Sequence, residues 1–540
     1  MKQKPLNILR LIMYFFSIGI CLIAEINAQV EFTSSNLPIV IINTNGQTII
    51  DESRIIADMD VIYKSDGQRT YITDEPNNYS GRIAIELRGS SSLSYPKKQY
   101  RLETQDLQGE NLNVALMGMP KENDWILNGP YHDITMMRNV LVYNISNDLG
   151  HYASRTQYCE LVLNNEYQGL YILLEKVKRD GHRVDISKLE PDETEGDDLT
   201  GGYIIKLDKL DGENVDGWTS TNGIYYQYHY PKPDEIVSEQ KQYIQAYIAN
   251  FESVMLSNYW NDNEEGYPSL IDFNSFIDYI LINEFSKNID AYRLSTYLYK
   301  DKDSDNPKLF AGPVWDYNLS FGDAWYESDV NVFQGWEIDH NTRLPYDSPQ
   351  IPFWWIKIAK DKQFAEAVVE RWFTLRSGVF DKDSLSRRIN SLHSYIMEAQ
   401  NRNSEQWPGM GNYDNFIIEI GRLISWINNR IDWIDANINS LYPSDIEIDH
   451  AYPQNYILNQ NYPNPFNHST TISFTLPGKA FVTLEIVDLT GNIVENVLHS
   501  EYQKGVHRIN ISMSQHSTGI YFYRLSTGKF SAIRKMVYLK

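Results

Sequence analysis

Residues 308–322 read Lys308-Leu-Phe-Ala-Gly-Pro-Val-Trp-Asp-Tyr-Asn-Leu-Ser-Phe-Gly322. An apolar run of strand character passes directly into Asp316, and a turn ending at Gly322 follows. A carboxylate where a rigid strand hands over to a loop is well placed for chemistry. Upstream, Asn288-Ile-Asp290 opens a similar unit, with Asp290 ahead of the aromatic and β-branched run Ser295-Thr-Tyr-Leu-Tyr299. Asp290 and Asp316 therefore stand at opposite ends of an expected hairpin, where two carboxylates can face one cleft. On spacing alone, a loop cap and a solvated turn explain the pair equally well.

The chain on either side of this hairpin changes period. Apolar residues recur at helical spacing over 240–251 and 273–285, and again within 352–441, where the Trp and Ile positions read as packing. The first half reads instead as strands at 39–42, 58–63, 81–87 and 97–102, interrupted by the small-residue loop Arg88-Gly-Ser-Ser-Ser92, whose backbone amides suit an anion or a plain turn. A helix is expected over 135–149, ended by Gly150. A hairpin at 158–163 and 169–177 turns on Asn164-Asn-Glu166, and a further strand is expected at 201–207. A β-rich half followed by an α-rich half predicts a two-lobed α+β domain.

At 540 residues the chain is long enough for several domains. With 71 acidic against 48 basic residues the net charge is -23, which repels a phosphate backbone and argues against a nucleic-acid partner. Lys2, Lys4 and Arg10 precede an apolar run at 11–24, and Ile26-Asn-Ala28 places a small residue at a cleavage position, so 1–28 reads as a signal peptide. The run is short for a hydrocarbon core of about 30 Å, and no mature transmembrane segment is expected. Its removal leaves Cys159 alone, so no internal disulfide can form. The alternating neighbours of Cys159 make it a buried thiol. Beyond an aperiodic linker at 443–460, short strands at 470–476, 481–487, 506–511, 519–525 and 532–538 predict a small β-sandwich of about 80 residues.

Two resemblances attach to named motifs. Asn461-Tyr-Pro-Asn-Pro-Phe-Asn467, Asp488-Leu-Thr-Gly-Asn492, Gly519-Ile-Tyr-Phe-Tyr523 and Lys535-Met-Val occur in that order, and the region 461–540 resembles the type A C-terminal sorting domain of proteins exported by the type IX secretion system. The resemblance implies an immunoglobulin-like sandwich without catalysis, the outer-membrane secretion machinery as partner, and a destination outside the cell or on its surface by way of the periplasm.

The region 29–442 resembles the spore-coat CotH kinase family. The matching text is Arg88-Gly-Ser-Ser-Ser with Lys97-Lys-Gln-Tyr-Arg, Trp125-Ile-Leu with Asp133 and Met137-Arg-Asn139, Leu163-Asn-Asn-Glu-Tyr-Gln-Gly-Leu-Tyr171 with Glu175-Lys176, then Gly201-Gly-Tyr, Asn288-Ile-Asp290 and Trp315-Asp-Tyr. The resemblance implies a two-lobed, atypical protein-kinase-like fold and transfer of the ATP γ-phosphoryl group to hydroxyls of exported or surface proteins. It makes Asp290 the catalytic aspartate and Asp316 the Mg²⁺ ligand. Lys97 or Lys98, with Arg88 in the adjoining loop, would meet the nucleotide phosphates. Where the family often has Trp-Asp-Tyr-Asp, this chain has Asn318, so the second metal contact is a neutral oxygen. Asp133 and Arg138 are candidates for fixing the lobes, and Glu175 and Lys176, at a strand end where a kinase hinge would lie, either border the adenine or, the preferred reading, are exposed charges. The alternatives are a kinase-fold protein of the cell envelope that has lost activity, glycan chemistry drawing on the many aromatics, and, least supported, a zinc site, for which the chain lacks His-x-x-x-His and paired cysteines.

Overall fold

A computed structural model describes residues 30–65, 68–209, 215–324, 331–441, 456–458, 460–461, 464–502 and 505–539. The expected signal peptide and most of the expected linker lie outside these residues. The chain divides into two compact units, 1–441 and 442–540.

In the first unit seven strands close into a barrel: β1 (Ile39–Asn43), β2 (Ile55–Ile62), β3 (Tyr79–Leu87), β4 (Tyr100–Gln105), β5 (Asp124–Asn128), β6 (Thr156–Leu163) and β7 (Glu166–Glu175), in the order β1-β2-β3-β4-β5-β7-β6. The pairing is antiparallel except where β1 meets β6 in parallel register, Ile39 opposite Glu160, which closes the ring. Alternation decides the interior. Val40 and Ile42, Met59 and Val61, Ile83 and Ile85, Leu102, Trp125 and Leu127, Cys159 and Leu161, and Tyr171 and Leu173 all point inward and form one core. Cys159 is fully buried there, and burial pushes its thiol well up. The β6–β7 hairpin turns on Asn164 and Asn165, both left-handed at φ 53° and 66°, the conformation a two-residue hairpin turn needs.

Helix α1 (Arg138–Asp148) follows β5 and is buried over most of its length. Beyond the barrel a five-stranded sheet has the order β9-β10-β8-β11-β12, with β8 (Tyr203–Leu207), β9 (Gly217–Thr219), β10 (Tyr225–Tyr230), β11 (Thr296–Lys300) and β12 (Leu309–Ala311). A side chain at Gly201 would meet the Lys302 backbone nitrogen at 1.9 Å, so only glycine lets β8 begin beneath the 301–302 turn. The same unit holds α2 (Ser238–Leu256), α3 (Phe273–Ser286), α4 (Phe353–Ile358), α5 (Lys362–Leu375), α6 (Lys382–Gln406) and α7 (Tyr413–Asn437), with α6 packed on β7 of the barrel. Trp354, Trp355 and Trp372 are fully buried, as their helical spacing predicts. The domain is thus α+β, with a barrel lobe and a sheet-and-helix lobe.

The second unit pairs a three-stranded sheet, β13 (Ile457–Leu458), β14 (Ser469–Leu476) and β17 (Gly505–Ser512), with a four-stranded one, β15 (Ala480–Val487), β16 (Ile493–Tyr502), β18 (Gly519–Ser526) and β19 (Ser531–Tyr538). Phe474 and Ile472 from the first sheet and Val482, Leu484, Tyr523 and Leu525 from the second share one buried cluster, the interior of a sandwich.

Candidate functional site

The hairpin β11–β12 carries the site. Because its strands are antiparallel, with Leu298 opposite Ala311, the approach to β11 and the exit from β12 lie at the same end. Asp290 and Asp316 are therefore neighbours despite 25 intervening residues. The backbone that presents them is held in unusual conformations. Lys287, Tyr292, Ser295, Asp316 and Phe321 all adopt left-handed φ, between 47° and 68°, without being glycine. Such positions persist only where surrounding contacts over-determine them, and they cluster at functional sites.

Those contacts are visible for Asp316. Its N–H donates to the Tyr143 hydroxyl at 3.2 Å, and the N–H of Tyr317 donates to Asn139 Oδ1 at 2.6 Å, both from α1. The Tyr317 hydroxyl donates to Asn283 Oδ1 on α3 at 2.7 Å. Two helices thus clamp the Asp316-Tyr317 peptide and turn the carboxylate outward. The side chain reaches solvent but is hemmed in by protein on its other sides. That dehydration and the nearby Asp290 charge push its pKa up to about 6, against the pull of Arg88.

Asp290 follows α3, whose first turn is capped by Asp272 accepting from the Ser275 N–H at 2.8 Å and whose end is the left-handed Lys287. Dehydration raises the Asp290 pKa, Arg293 and Lys209 oppose this, and Asp208 and Asp347 reinforce it. Arg293 is 4% exposed. Its guanidinium stands 3.5 Å from Asp290, 3.1 Å from Asp347, and donates to the Pro349 carbonyl at 3.1 Å. It fixes the Asp290 turn against the 344–350 loop.

From the barrel side comes Arg88, at the end of β3. Its guanidinium lies 5.8 Å over the Trp315 ring and donates to Gln99 Oε1 at 3.3 Å, while Gln99 accepts from Asn128 at 2.8 Å. Burial lowers the Arg88 pKa, and Asp316 counters that. The structure therefore brings Asp290, Asp316 and Arg88 together. Asn318, two residues past Asp316, is half-buried on the same turn.

The two lysines are held elsewhere. Lys97 is 0% exposed, and its ammonium donates to the Leu170 carbonyl at 2.6 Å and to Asn403 Oδ1 of α6 at 2.7 Å, over the Tyr171 ring at 4.9 Å. Burial lowers its pKa to about 7. It ties β7 to α6. Lys98 donates to the Leu93 carbonyl at 2.6 Å, closing the loop after Arg88.

Glu175 corrects its sequence reading as an exposed charge. It is 0% exposed, accepts from Arg155 at 2.9 Å, and sits 3.2 Å from the Tyr152 hydroxyl. An ion pair with Arg155, which itself reaches solvent, satisfies the buried carboxylate. Arg138 and Asp133 are both buried and directly paired. Arg138 also donates to the Ser320 carbonyl at 3.0 Å and lies 3.2 Å from Asp323, so α1 is bound to the turn that follows Asp316.

Asp208 and Lys209, not singled out in the sequence, lie within electrostatic reach of both carboxylates. They directly follow β8, and the rule that draws attention to Asp316, an acid where a strand gives way to a loop, applies equally to Asp208. Among the described residues no cluster of three or more His, Cys, Asp or Glu could hold an ion unaided. Mg²⁺ asks for less, one or two carboxylates completed by phosphate oxygens and water. An outward carboxylate whose pKa is raised by dehydration and by the Asp290 charge fits that demand, because a cation there relieves the repulsion.

The family model described as "CotH kinase protein" matches residues 85–434, well over half of the chain, and "Secretion system C-terminal sorting domain" matches 460–539. Among solved structures the chain aligns with the twitchin kinase region of C. elegans at 10% identity, covering 94% of this chain and 99% of that one. The TM-score is 0.13, at which no common fold follows. A search of curated proteins finds no match. The sorting domain marks the chain for the outer cell surface, and among the described residues no helix is long and apolar enough to cross a membrane. With Asp290, Asp316 and the motifs that carry them inside the matched span, the chain belongs to the CotH kinase protein family.

Proposed function

We propose that the first unit is a two-lobed, kinase-like phosphotransferase of the cell exterior, passing the γ-phosphoryl group of ATP to hydroxyl groups of exported or surface proteins. The observation that carries this reading is the meeting of Asp290 and Asp316 at one end of the β11–β12 hairpin, opposite Arg88 from the barrel lobe. Phosphoryl transfer asks little of a protein beyond positioning, charge neutralisation and a proton acceptor.

Asp290 is the acceptor. Its turn is braced by Arg293, and its raised pKa suits a group that takes the hydroxyl proton as the oxygen–phosphorus bond forms. Asp316, with Asn318 as a neutral second donor, would hold Mg²⁺. When bound, Mg²⁺ neutralises and orients the phosphate oxygens. Arg88, half-buried beside Trp315, supplies fixed positive charge on the barrel side. Lys97, sealed between β7 and α6, supports that wall of the barrel lobe. Lys98 holds the loop.

A second reading, a kinase-fold protein of the envelope without activity, is favoured by one observation: Asn318 stands where a second carboxylate would strengthen the metal site. The two readings separate on incubating the mature chain with ATP and Mg²⁺ and following phosphate incorporation by mass spectrometry. Phosphotransfer that disappears in both Asp290→Ala and Asp316→Ala, with unchanged melting, supports the first. Absence of nucleotide binding and of incorporation in the wild type leaves the second.

A further inference from the structure

Resting on that reading, we propose that Lys209 provides the lysine contact to the polyphosphate of the nucleotide, on a backbone fixed by Asp208 and Gln227. Three features place it. Asp208 and Lys209 directly follow β8, the middle strand of the second-lobe sheet, which runs beside β11 with Leu207 opposite Thr296. Asp208 Oδ1 accepts from the Ser295 N–H at 3.4 Å, binding the end of β8 to the segment that descends from Asp290. Gln227 of β10, 1% exposed, donates to the Asp208 carbonyl at 3.1 Å and to the Lys209 carbonyl at 2.7 Å. A buried amide spent on two consecutive loop carbonyls fixes where the lysine leaves the sheet.

The distribution of charge gives that placement a purpose. Arg88 acts on Asp316 and Arg293 acts on Asp290, whereas Lys209 acts on both. The two arginines are already engaged, Arg293 with Asp347 and Pro349, Arg88 with Gln99 and Trp315. Lys206, three residues before Lys209, is paired with Asp208 at 2.9 Å, which removes the competing carboxylate from Lys209. The Lys209 side chain is exposed, and among the described residues no hydrogen bond or ion pair occupies its ammonium. An exposed ammonium within electrostatic reach of both carboxylates answers the charge of phosphate oxygens that a divalent cation leaves uncovered, and lysine serves phosphates as such a point charge.

The test compares ATP with adenosine, which lacks phosphates, by calorimetric titration of the mature chain in the presence of Mg²⁺. In Lys209→Met the affinity for ATP falls about 10- to 100-fold, the range of a charge-assisted hydrogen bond, while adenosine binds as in the wild type and the melting temperature holds. Lys209→Arg recovers most of the ATP affinity. Equal ATP binding by Lys209→Met and wild type overturns the assignment and leaves the phosphotransferase reading standing. Equal loss for ATP and adenosine overturns it in favour of a structural role. A wild type that binds neither overturns the assignment together with the reading beneath it.

Discussion

Single residues near the cleft show how burial and charge set chemistry here. His229 of β10 is half-buried, its ring nitrogen 2.9 Å from the Val177 carbonyl and its ring edge-on to Tyr297. Dehydration, with Lys206, Lys176 and Arg101 nearby, pushes its pKa down to about 3. The neutral imidazole is the folded form. A depressed folded pKa means that the unfolded chain takes up the proton first, so stability is full above the ordinary imidazole value near 6.5 and is lost as pH falls toward 3. We expect the melting temperature of the first unit to fall from pH 7 to pH 4.5, at a cost of at most about 1.4 kcal/mol per pH unit from this group. His229→Gln keeps a donor for Val177 and flattens that slope, which calorimetry across the range will register. At this scale the sequence was partly legible. Asp290 and Asp316 stand out by their places at element ends, and so should Asp208. The setting of Lys97 was hidden, because its partners Leu170 and Asn403 come from distant segments and nothing local distinguishes a sealed lysine from a solvated one.

Between elements, the decisive tie runs from α1 to the segment after Asp316. Arg138 is almost wholly enclosed, paired with the equally enclosed Asp133 and joined to the Ser320 carbonyl. Removing one partner of a buried pair leaves an uncompensated charge. Arg138→Met should therefore destabilise the first unit by about 3–5 kcal/mol in denaturant titrations. Adding Asp133→Asn should restore part of the loss, since the orphaned charge is then gone. The same variant should weaken nucleotide binding, because α1 also supplies Asn139 and Tyr143 to the Asp316 clamp. The expected helices at 240–251 and 273–285 are found at Ser238–Leu256 and Phe273–Ser286, and the expected hairpin at 158–177 forms, because each depends on local period and turn chemistry. Barrel closure was not legible. It needs β1 to pair in parallel with β6, more than 100 residues later, and strand alternation alone does not choose a partner.

As a whole molecule the chain is two units, each with its own core, the barrel and helices before 441 and the sandwich after it. Separate cores predict separate cooperative transitions. Calorimetry of the mature chain should resolve two endotherms, and cleavage between 442 and 455 should leave both midpoints within a few degrees of their original values. The sequence by itself determined the family, the sorting domain at the C-terminus, the order of β-rich and α-rich segments and the two carboxylates at the hairpin, because these follow from motif order and from periodicities spanning a few residues. Only the tertiary structure decided that seven strands close into a barrel, that Lys97 is spent on α6 and that Lys209 and Asp208 come within electrostatic reach of both carboxylates. Each of those outcomes turns on contacts between segments far apart in the chain, where burial and charge balance, not local pattern, choose the partner.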